Sequence, residues 1–170
     1  MKILFAFVGT LACAAAMIGG ALLVMRGPSD PHAYPSSWSK LDFGEAQEVS
    51  AVALPPCAQE TAKYYVDSTF VGNSVYMDFT APDGCVAEFL AAVGIDGNTP
   101  VVQWKPVFPD SGPPISPPAD SEITWDFGRE DRVESWQVER WHGAYEQAVN
   151  VVVNRSAQPQ HVYIESFTSN

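Results

Sequence analysis

The stretch that decides the fold is residues 62–94, which read AKYYVDSTFVGNSVYMDFTAPDGCVAEFLAAVG. Two runs rich in β-branched and aromatic residues flank Gly72 and Asn73, a pair that suits a tight turn. Across residues 75–80 the side chains alternate between an apolar set and a more polar set, as they do in a strand with one buried face. These features predict a β-hairpin.

A short helix is predicted directly after the hairpin. Pro82 and Asp83 suit a first helical turn, because proline presets the backbone angle and a carboxylate stabilises the positive end of the helix dipole. Gly94 suits the end of the helix. Between these limits, apolar residues recur at helical spacing, at Val86, Phe89, Leu90 and Val93. The helix should therefore lie across the hairpin.

Strands are also predicted on both sides of this unit. Residues 49–54 and 99–104 form short apolar runs that suit extended segments, and the last third of the chain holds three longer runs. The longer runs are ESWQVERWH (134–142), QAVNVVVNRS (147–156) and HVYIESF (161–167). Three consecutive antiparallel strands are the expected result. The predicted fold is therefore α+β: a mostly antiparallel sheet of about five or six strands with one short helix packed on it.

The chain opens with a segment that suits a membrane. Residues 3–25 contain no charged side chain, and as a helix they would extend roughly 34 Å, enough to cross a hydrocarbon core of about 30 Å. We therefore expect residues 1–26 to be an uncleaved transmembrane anchor with its N-terminus inside. Two alternatives stay open, namely a cleaved signal segment and a lipoprotein in which Cys13 of TLAC carries the lipid.

Three parts of the chain follow from this interpretation. Residues 1–26 form the membrane anchor or signal segment, 27–47 form a linker rich in proline and serine, and 48–170 form the exported domain. Within that domain, residues 105–121 are too dense in proline for a central strand or a helix, so they predict a surface loop. The expected location is the plasma membrane, with a single pass and the C-terminal domain outside; a secreted protein or a lipoprotein is the alternative.

The charge of the chain excludes some partners. It carries 20 acidic and 9 basic residues, for a formal net charge of −11 at pH 7. Phosphate backbones and anionic lipid surfaces would be repelled, so nucleic acid is not an expected ligand. The acidity itself is typical of a soluble surface.

Two cysteines lie beyond the anchor, Cys57 and Cys85. A pair of cysteines in an exported domain most simply forms a disulfide. Closing a loop of about 28 residues would stabilise the fold by roughly 3–4 kcal/mol in the chain-entropy model. Free thiols or half of a metal site are the alternatives, although neither cysteine belongs to a CxxC motif or has a histidine nearby in sequence.

Sequence motifs for catalysis or metal binding do not stand out in this chain. The histidines are His32, His142 and His161, and they form neither an HExxH motif nor a pair at metal spacing. A nucleophile elbow, a P-loop and a dinucleotide-binding glycine motif are also missing from the sequence. No metal or cofactor is therefore expected, and the catalytic residues, if there are any, are unknown.

Aromatic residues supply the candidates for binding. Trp136 and Trp141 fall on opposite faces of one predicted strand, so one ring should project from the sheet, where it could stack on a sugar or anchor a protein. His142 is their neighbour in sequence and completes the candidate set. The carboxylates of residues 126–134 are interleaved with arginines, which is typical of a solvated turn. Core packing of the tryptophans is the alternative.

The order of these segments resembles small exported or membrane-anchored actinobacterial proteins whose function is uncharacterised. The shared features are LPP, the hairpin, FLAAVG of the short helix and the terminal VVVNRS and HVYIESF segments, within about residues 52–167. These features are structural turns and apolar strands. The resemblance implies no catalytic or binding residue.

Three functions are compatible with the sequence. The favoured one is a non-enzymatic binding or interaction module, held outside the plasma membrane by one N-terminal helix, with a protein or a cell-wall component as its partner. The second is a small hydrolase with a scattered site around His142, His161 and the carboxylates of residues 126–134. A cleft that brings either His142 or His161 within about 3 Å of a carboxylate and a hydroxyl would favour this hydrolase. The third is a structural subunit of a membrane complex.

Overall fold

The computed structural model describes residues 30–37, 40–69, 72–101, 115–127, 132–142 and 145–169. The predicted anchor, residues 1–26, lies outside these ranges. Within them, none of the helices is both long and apolar enough to cross a bilayer.

Five antiparallel strands form one sheet in the order β1-β2-β5-β4-β3. Their bounds are Lys63–Thr69 (β1), Gly72–Ala81 (β2), Val133–His142 (β3), Tyr145–Asn154 (β4) and Gln160–Ser169 (β5). The predicted hairpin is β1 and β2, and the three predicted C-terminal strands are β3, β4 and β5. The last strand pairs with β2, which joins the two units into one sheet and confirms the α+β prediction.

Short helices accompany the sheet. They are α1 (Phe43–Ser50), α2 (Pro56–Gln59) and α3 (Asp83–Ala92), with a single 3-10 turn at Ala119–Ser121. The helix predicted after the hairpin is α3, and its predicted apolar stripe is buried. Gly94 follows this helix with a positive φ of 82°, the conformation in which glycine ends a helix without strain.

Two local predictions were wrong. Gly72 and Asn73 are not the turn of the hairpin, because they already pair with β1 and belong to β2. Residues 49–54 are not a strand, because the helix α1 runs to Ser50. A capping box starts that helix: the Asp42 carboxylate accepts from the Glu45 N–H at 2.9 Å, and the Glu45 carboxylate accepts from the Asp42 N–H at 2.8 Å. Of the run predicted at 99–104, only residues 99–101 are described, and none of them is in a strand.

The first face of the sheet carries the main core. One row of side chains crosses all five strands there, and each member is at most 6% exposed: Tyr64, Met77, Ile164, Val151 and Trp136. Residues from α1 and α3 pack on this row, among them Ala46, Val86 and Phe89. Burying this much apolar surface is the main stabilising contribution to such a domain.

A second cluster lies on the opposite face of the sheet. Tyr163 and Val152 are fully buried there beneath residues 115–127, whose Ile115, Trp125 and Phe127 pack against them. The described end of the predicted proline-rich loop, 115–121, thus covers part of this second face. Because both faces are covered here, both sets of alternating side chains are apolar at the middle of the sheet.

Part of the predicted linker packs on the domain. Ala33 forms a parallel bridge with Tyr64 at the edge of β1, and backbone hydrogen bonds of 2.8 and 2.9 Å flank this bridge. The Asp30 carboxylate accepts from the Phe43 N–H at 2.6 Å, at the first turn of α1. These contacts cover the edge of β1 and tie residues 30–37 to the sheet.

The predicted disulfide joins Cys57 and Cys85. Cys57 lies in α2 and Cys85 lies in the first turn of α3, so the bond connects two short helices on the first face of the sheet. The cysteine prediction is confirmed, and its alternatives of free thiols or a metal site do not apply.

Candidate functional site

The predicted binding residues lie in β3. Trp136 is 6% exposed and belongs to the main core, opposite Val151, so its ring packs inside the protein. The backbones of Trp141 and His142 pair with Glu146 and Tyr145 at the far end of the strand. Their side chains lie outside the described part of the structure, so a binding role for them stays a prediction.

A network of polar side chains centres on His161. The His161 Nε2 lies 2.8 Å from an oxygen of the Asp78 carboxylate, and its Nδ1 lies 3.1 Å from the Tyr163 hydroxyl. The Tyr34 hydroxyl donates to the other oxygen of Asp78. The Tyr163 hydroxyl donates to the backbone carbonyl of Asp126. This His161 network therefore links the N-terminal segment, the middle of the sheet and residues 115–127.

The proton positions in the His161 network follow from its acceptors. The Asp126 carbonyl can only accept, so Tyr163 must donate its single hydroxyl proton there. The Tyr163 oxygen can then only accept from His161 Nδ1. The second ring nitrogen, His161 Nε2, lies at hydrogen-bond distance from the Asp78 carboxylate, at 2.8 Å.

The two phenols of the network are held in their neutral form. Burial raises the pKa of Tyr163, and the nearby Asp126 and Asp78 carboxylates raise it further. Burial is also the largest cause of the raised pKa of Tyr34, followed by Asp78, whereas the Trp125 indole N–H acts in the opposite direction. The buried Trp125 nitrogen completes no well-formed hydrogen bond within the described residues. Both phenols thus remain donors at neutral pH, as a structural network requires.

The acidic run 126–134 reaches this network at Asp126, whose carboxylate helps to raise the pKa of Tyr163. Asp126 contributes its backbone carbonyl, and the Glu134 carboxylate pairs with the Arg155 Nε at 2.8 Å. Residues 128–131 lie outside the described ranges. The carboxylate that reaches His161 is instead Asp78, from β2.

The second face of the sheet is covered over only half of its width by described residues. On the other half, one row crosses all five strands at Asp67, Ser74, Phe167, Ala148 and Glu139. The neighbouring row adds Glu165, Asn150 and Gln137. We call these side chains the open half-face, because all of them are partly or fully exposed.

Phe167 lies at the centre of the open half-face. Its side chain is 38% exposed, the highest value for any aromatic residue among those described. A Cβ added to Gly72 would come within 3.2 Å of the Phe167 ring, so this ring lies over a glycine of the neighbouring strand. Such pairing of an aromatic ring with a glycine stabilises a sheet locally. The other side of the ring, flanked by the small residues Ser74 and Ala148, is accessible to a ligand.

Sequence reasoning identified His161 but missed its partners. Asp78 lies between Met77 and Phe79, and a carboxylate in a strand that apolar residues surround is a signal for a buried polar contact. Tyr163 carries a similar signal, because it lies between the apolar residues Val162 and Ile164 and its side chain points to the face of the sheet opposite the main core. Phe167 lies on the same face of β5 as Tyr163, and the sequence analysis did not identify it as a candidate.

Within the described ranges, no group of three or more His, Cys, Asp or Glu side chains is placed to hold a metal ion. Comparisons of the chain with protein-family models, with curated proteins and with solved structures found no match.

Proposed function

We propose that this protein is a membrane-tethered domain outside the cytoplasm that binds a partner and does not catalyse a reaction. The uncharged residues 3–25 supply the tether. The Cys57–Cys85 disulfide supports an oxidising compartment, because cytosolic thiols are kept reduced. A protein or a cell-wall component outside the membrane is the partner that this location allows.

The observation that carries the binding role is the open half-face. The apolar centre of the same sheet face is buried beneath residues 115–127, whereas Phe167 is left 38% exposed. Aromatic residues are enriched at the centre of protein interfaces, inside a polar rim, and Phe167 with its polar neighbours has this arrangement. The polar members of the open half-face would form the rim of that contact.

The hydrolase alternative has one observation in its favour. His161 lies within 3.1 Å of a hydroxyl and 2.8 Å of a carboxylate, the arrangement of a general base and its orienting acid. The direction of the hydrogen bonds argues against this role, because Tyr163 donates to Asp126 and has no second proton for His161 to accept. The Tyr163 side chain is also fully buried, which keeps a substrate from its hydroxyl.

Location is tested with the full-length chain carrying a C-terminal tag in bacterial cells. We expect the protein in the membrane pellet after washes with salt and carbonate, at the size of the uncleaved chain, with the tag removed by protease added to intact cells. Ala16→Arg, which places a charge in the apolar segment, should release it from the membrane. Cys13→Ala should change nothing, whereas a lipoprotein would lose its attachment. Recovery of intact protein from the cytosol with reduced thiols would contradict the proposal.

Binding is tested by placing a photo-crosslinking amino acid at position 167 in the same cells. We expect a discrete adduct from this position. The control position is Glu60, which is exposed after α2, and it should give none. A binding role through the open half-face is wrong if the two positions give the same pattern.

A further inference from the structure

We infer that the open half-face binds an extended segment of a partner protein that is rich in lysine and arginine. This inference rests on the proposed function and adds the chemistry of the partner. Two properties of the surface carry it. One is the pattern of residues along the row through Phe167, and the other is a set of carboxylates for which the described residues supply no basic partner.

The row has an aromatic centre and acidic ends. Asp67 lies at its β1 end and Glu139 at its β3 end, with Phe167 on the central strand between them. Four steps between neighbouring strands separate the two acids, which is roughly 19 Å at about 4.8 Å a step. An extended peptide of about six residues would span this distance, at about 3.3 Å for each residue. The row thus matches a short extended segment with cations at both ends.

Phe167 suits a cation at the middle of that segment. The face of an aromatic ring attracts ammonium and guanidinium groups. The small neighbours of Phe167, Ser74 and Ala148, leave the side of the ring that faces away from Gly72 open to a long side chain. Glu165 lies on the same strand and the same face two residues away, close enough to pair with the same cation.

The carboxylates of the open half-face lack basic partners within the described residues. Glu165 accepts from the Asn150 amide at 3.0 Å, and no described ion pair involves Asp67, Glu139 or Glu165. Elsewhere the chain compensates such charges, as Arg155 does for Glu134 at 2.8 Å. The local field at Tyr76 reflects this excess: after burial, the neighbouring Glu165 carboxylate is the largest cause of the raised pKa of this phenol.

Charge also selects among possible occupants. A second copy of this chain, at a net charge of −11, would bring like charges together. Anionic lipid and nucleic acid would be repelled in the same way. A cationic segment would gain attraction at all three carboxylates, and it could arrive faster through electrostatic steering.

The test measures the anisotropy of a labelled hexa-arginine peptide with the full-length chain in a non-ionic detergent, at low ionic strength. Phe167→Leu keeps an apolar side chain over Gly72 but removes the aromatic face, so we expect affinity to fall about two- to fivefold. Glu165→Gln should weaken binding by a similar factor, and added salt should weaken it further.

Two matched controls separate this site from general attraction to an acidic protein. Glu60→Gln removes the same charge at an exposed position outside the open half-face, and Val101→Ala changes another exposed apolar side chain. Both variants should bind like the wild type. Thermal unfolding and circular dichroism of each variant confirm that it is folded before its affinity is compared.

Three results would overturn the inference. Equal losses for Glu60→Gln and Glu165→Gln would reveal attraction to net charge alone. Unchanged affinity of Phe167→Leu would remove the aromatic contact. Binding of a neutral chitooligosaccharide that depends on Phe167, without binding of hexa-arginine, would assign the surface to a glycan. Each of these can occur while the photo-adduct at position 167 still forms, so the proposed function and this inference fail separately.

Discussion

Gly72 lies where two strands and an aromatic ring approach each other. A Cβ at this position would press against the Thr168 carbonyl and would come within 3.2 Å of the Phe167 ring. We therefore expect Gly72→Ala to lower the free energy of unfolding by about 1–3 kcal/mol, measured by urea denaturation.

Gly84 provides the control for this substitution. It lies in the first turn of α3, and an added Cβ would have no atom within 4 Å. Gly84→Ala should be neutral or should stabilise the protein by up to about 1 kcal/mol, because alanine favours a helix over glycine. Equal stability of the two variants would contradict the packing of Phe167 over Gly72.

The Tyr163 hydroxyl contributes through hydrogen bonds and not through its ring. Tyr163→Phe keeps the ring contacts with Trp125 and Phe127, at centroid distances of 5.3 and 4.7 Å. It removes the hydrogen bonds that the Tyr163 hydroxyl makes with the Asp126 carbonyl and with His161 Nδ1. We expect a loss of about 1–3 kcal/mol in urea denaturation, the range for an unsatisfied buried group.

Tyr65→Phe is the matched control for the Tyr163 hydroxyl. Tyr65 is also buried, but none of the hydrogen bonds described for side chains involves its hydroxyl. Its removal should change the free energy of unfolding by less than about 0.5 kcal/mol. If both tyrosines behave alike, the His161 network contributes little to stability.

Elements are held together by different means on the two faces of the sheet. On the first face, α1 and α3 pack on apolar strand residues. On the second face, residues 115–127 lie over the sheet without a long helix or strand of their own, and aromatic contacts and the His161 network attach them. Side-chain contacts therefore hold this segment on the sheet, whereas the strands are held together by backbone hydrogen bonds.

The disulfide joins α2 to α3 across a sequence separation of 28 residues. Cys57→Ser with Cys85→Ser should reduce the free energy of unfolding by about 3–4 kcal/mol, because the unfolded chain regains the freedom that the closed loop removes. Urea denaturation with and without reductant measures this difference. Cys13→Ser lies outside the loop and serves as the control. The expectation fails if reductant leaves the wild-type midpoint unchanged.

At the scale of the whole molecule, buried tyrosines make the free energy of unfolding depend on pH in the alkaline range. Among the tyrosines whose side chains the structure describes, five have a pKa raised above the usual value of 10: Tyr34, Tyr64, Tyr65, Tyr76 and Tyr163. A phenol with a raised native pKa keeps its proton longer in the folded state than in the unfolded state. The stability that it contributes is present below pH 10 and is lost as the pH rises toward the native value.

We therefore expect the free energy of unfolding to fall above pH 10. Each such tyrosine contributes about 1.4 kcal/mol per pH unit between its unfolded and native pKa. For Tyr76, burial and Glu165 raise the pKa to about 12, so Tyr76→Phe should make the decline less steep across this interval. Urea denaturation at a series of pH values, with tyrosinate absorbance as a second signal, measures the effect. Parallel declines for the wild type and the variant would contradict the assignment.

The tertiary structure alone decided the candidate sites. Tyr34, Asp78 and His161 meet in one network although the first and the last are 127 positions apart in the sequence. Their contact requires that β5 pair with β2, with Thr80 opposite His161, and no local pattern encodes this pairing. The same strand order assembles the open half-face from five strands. It also places Trp136 in the core. The alternation of the sequence showed that Trp136 and Trp141 lie on opposite faces of the strand, but it did not show which of the two faces is buried.

The sequence by itself determined the local elements of this protein. The two strands of the hairpin, α3 and the three C-terminal strands were predicted from periodicities that need only the next few residues, since side-chain direction repeats every 2 residues in a strand and about every 3.6 in a helix. The helix α1 was not predicted, although Asp42 and Glu45 of its capping box are a local sequence signal. Which strand lies beside which, and therefore which polar residues meet, depends on the total burial that each arrangement achieves. That is a property of the whole chain, so only the tertiary structure decided it.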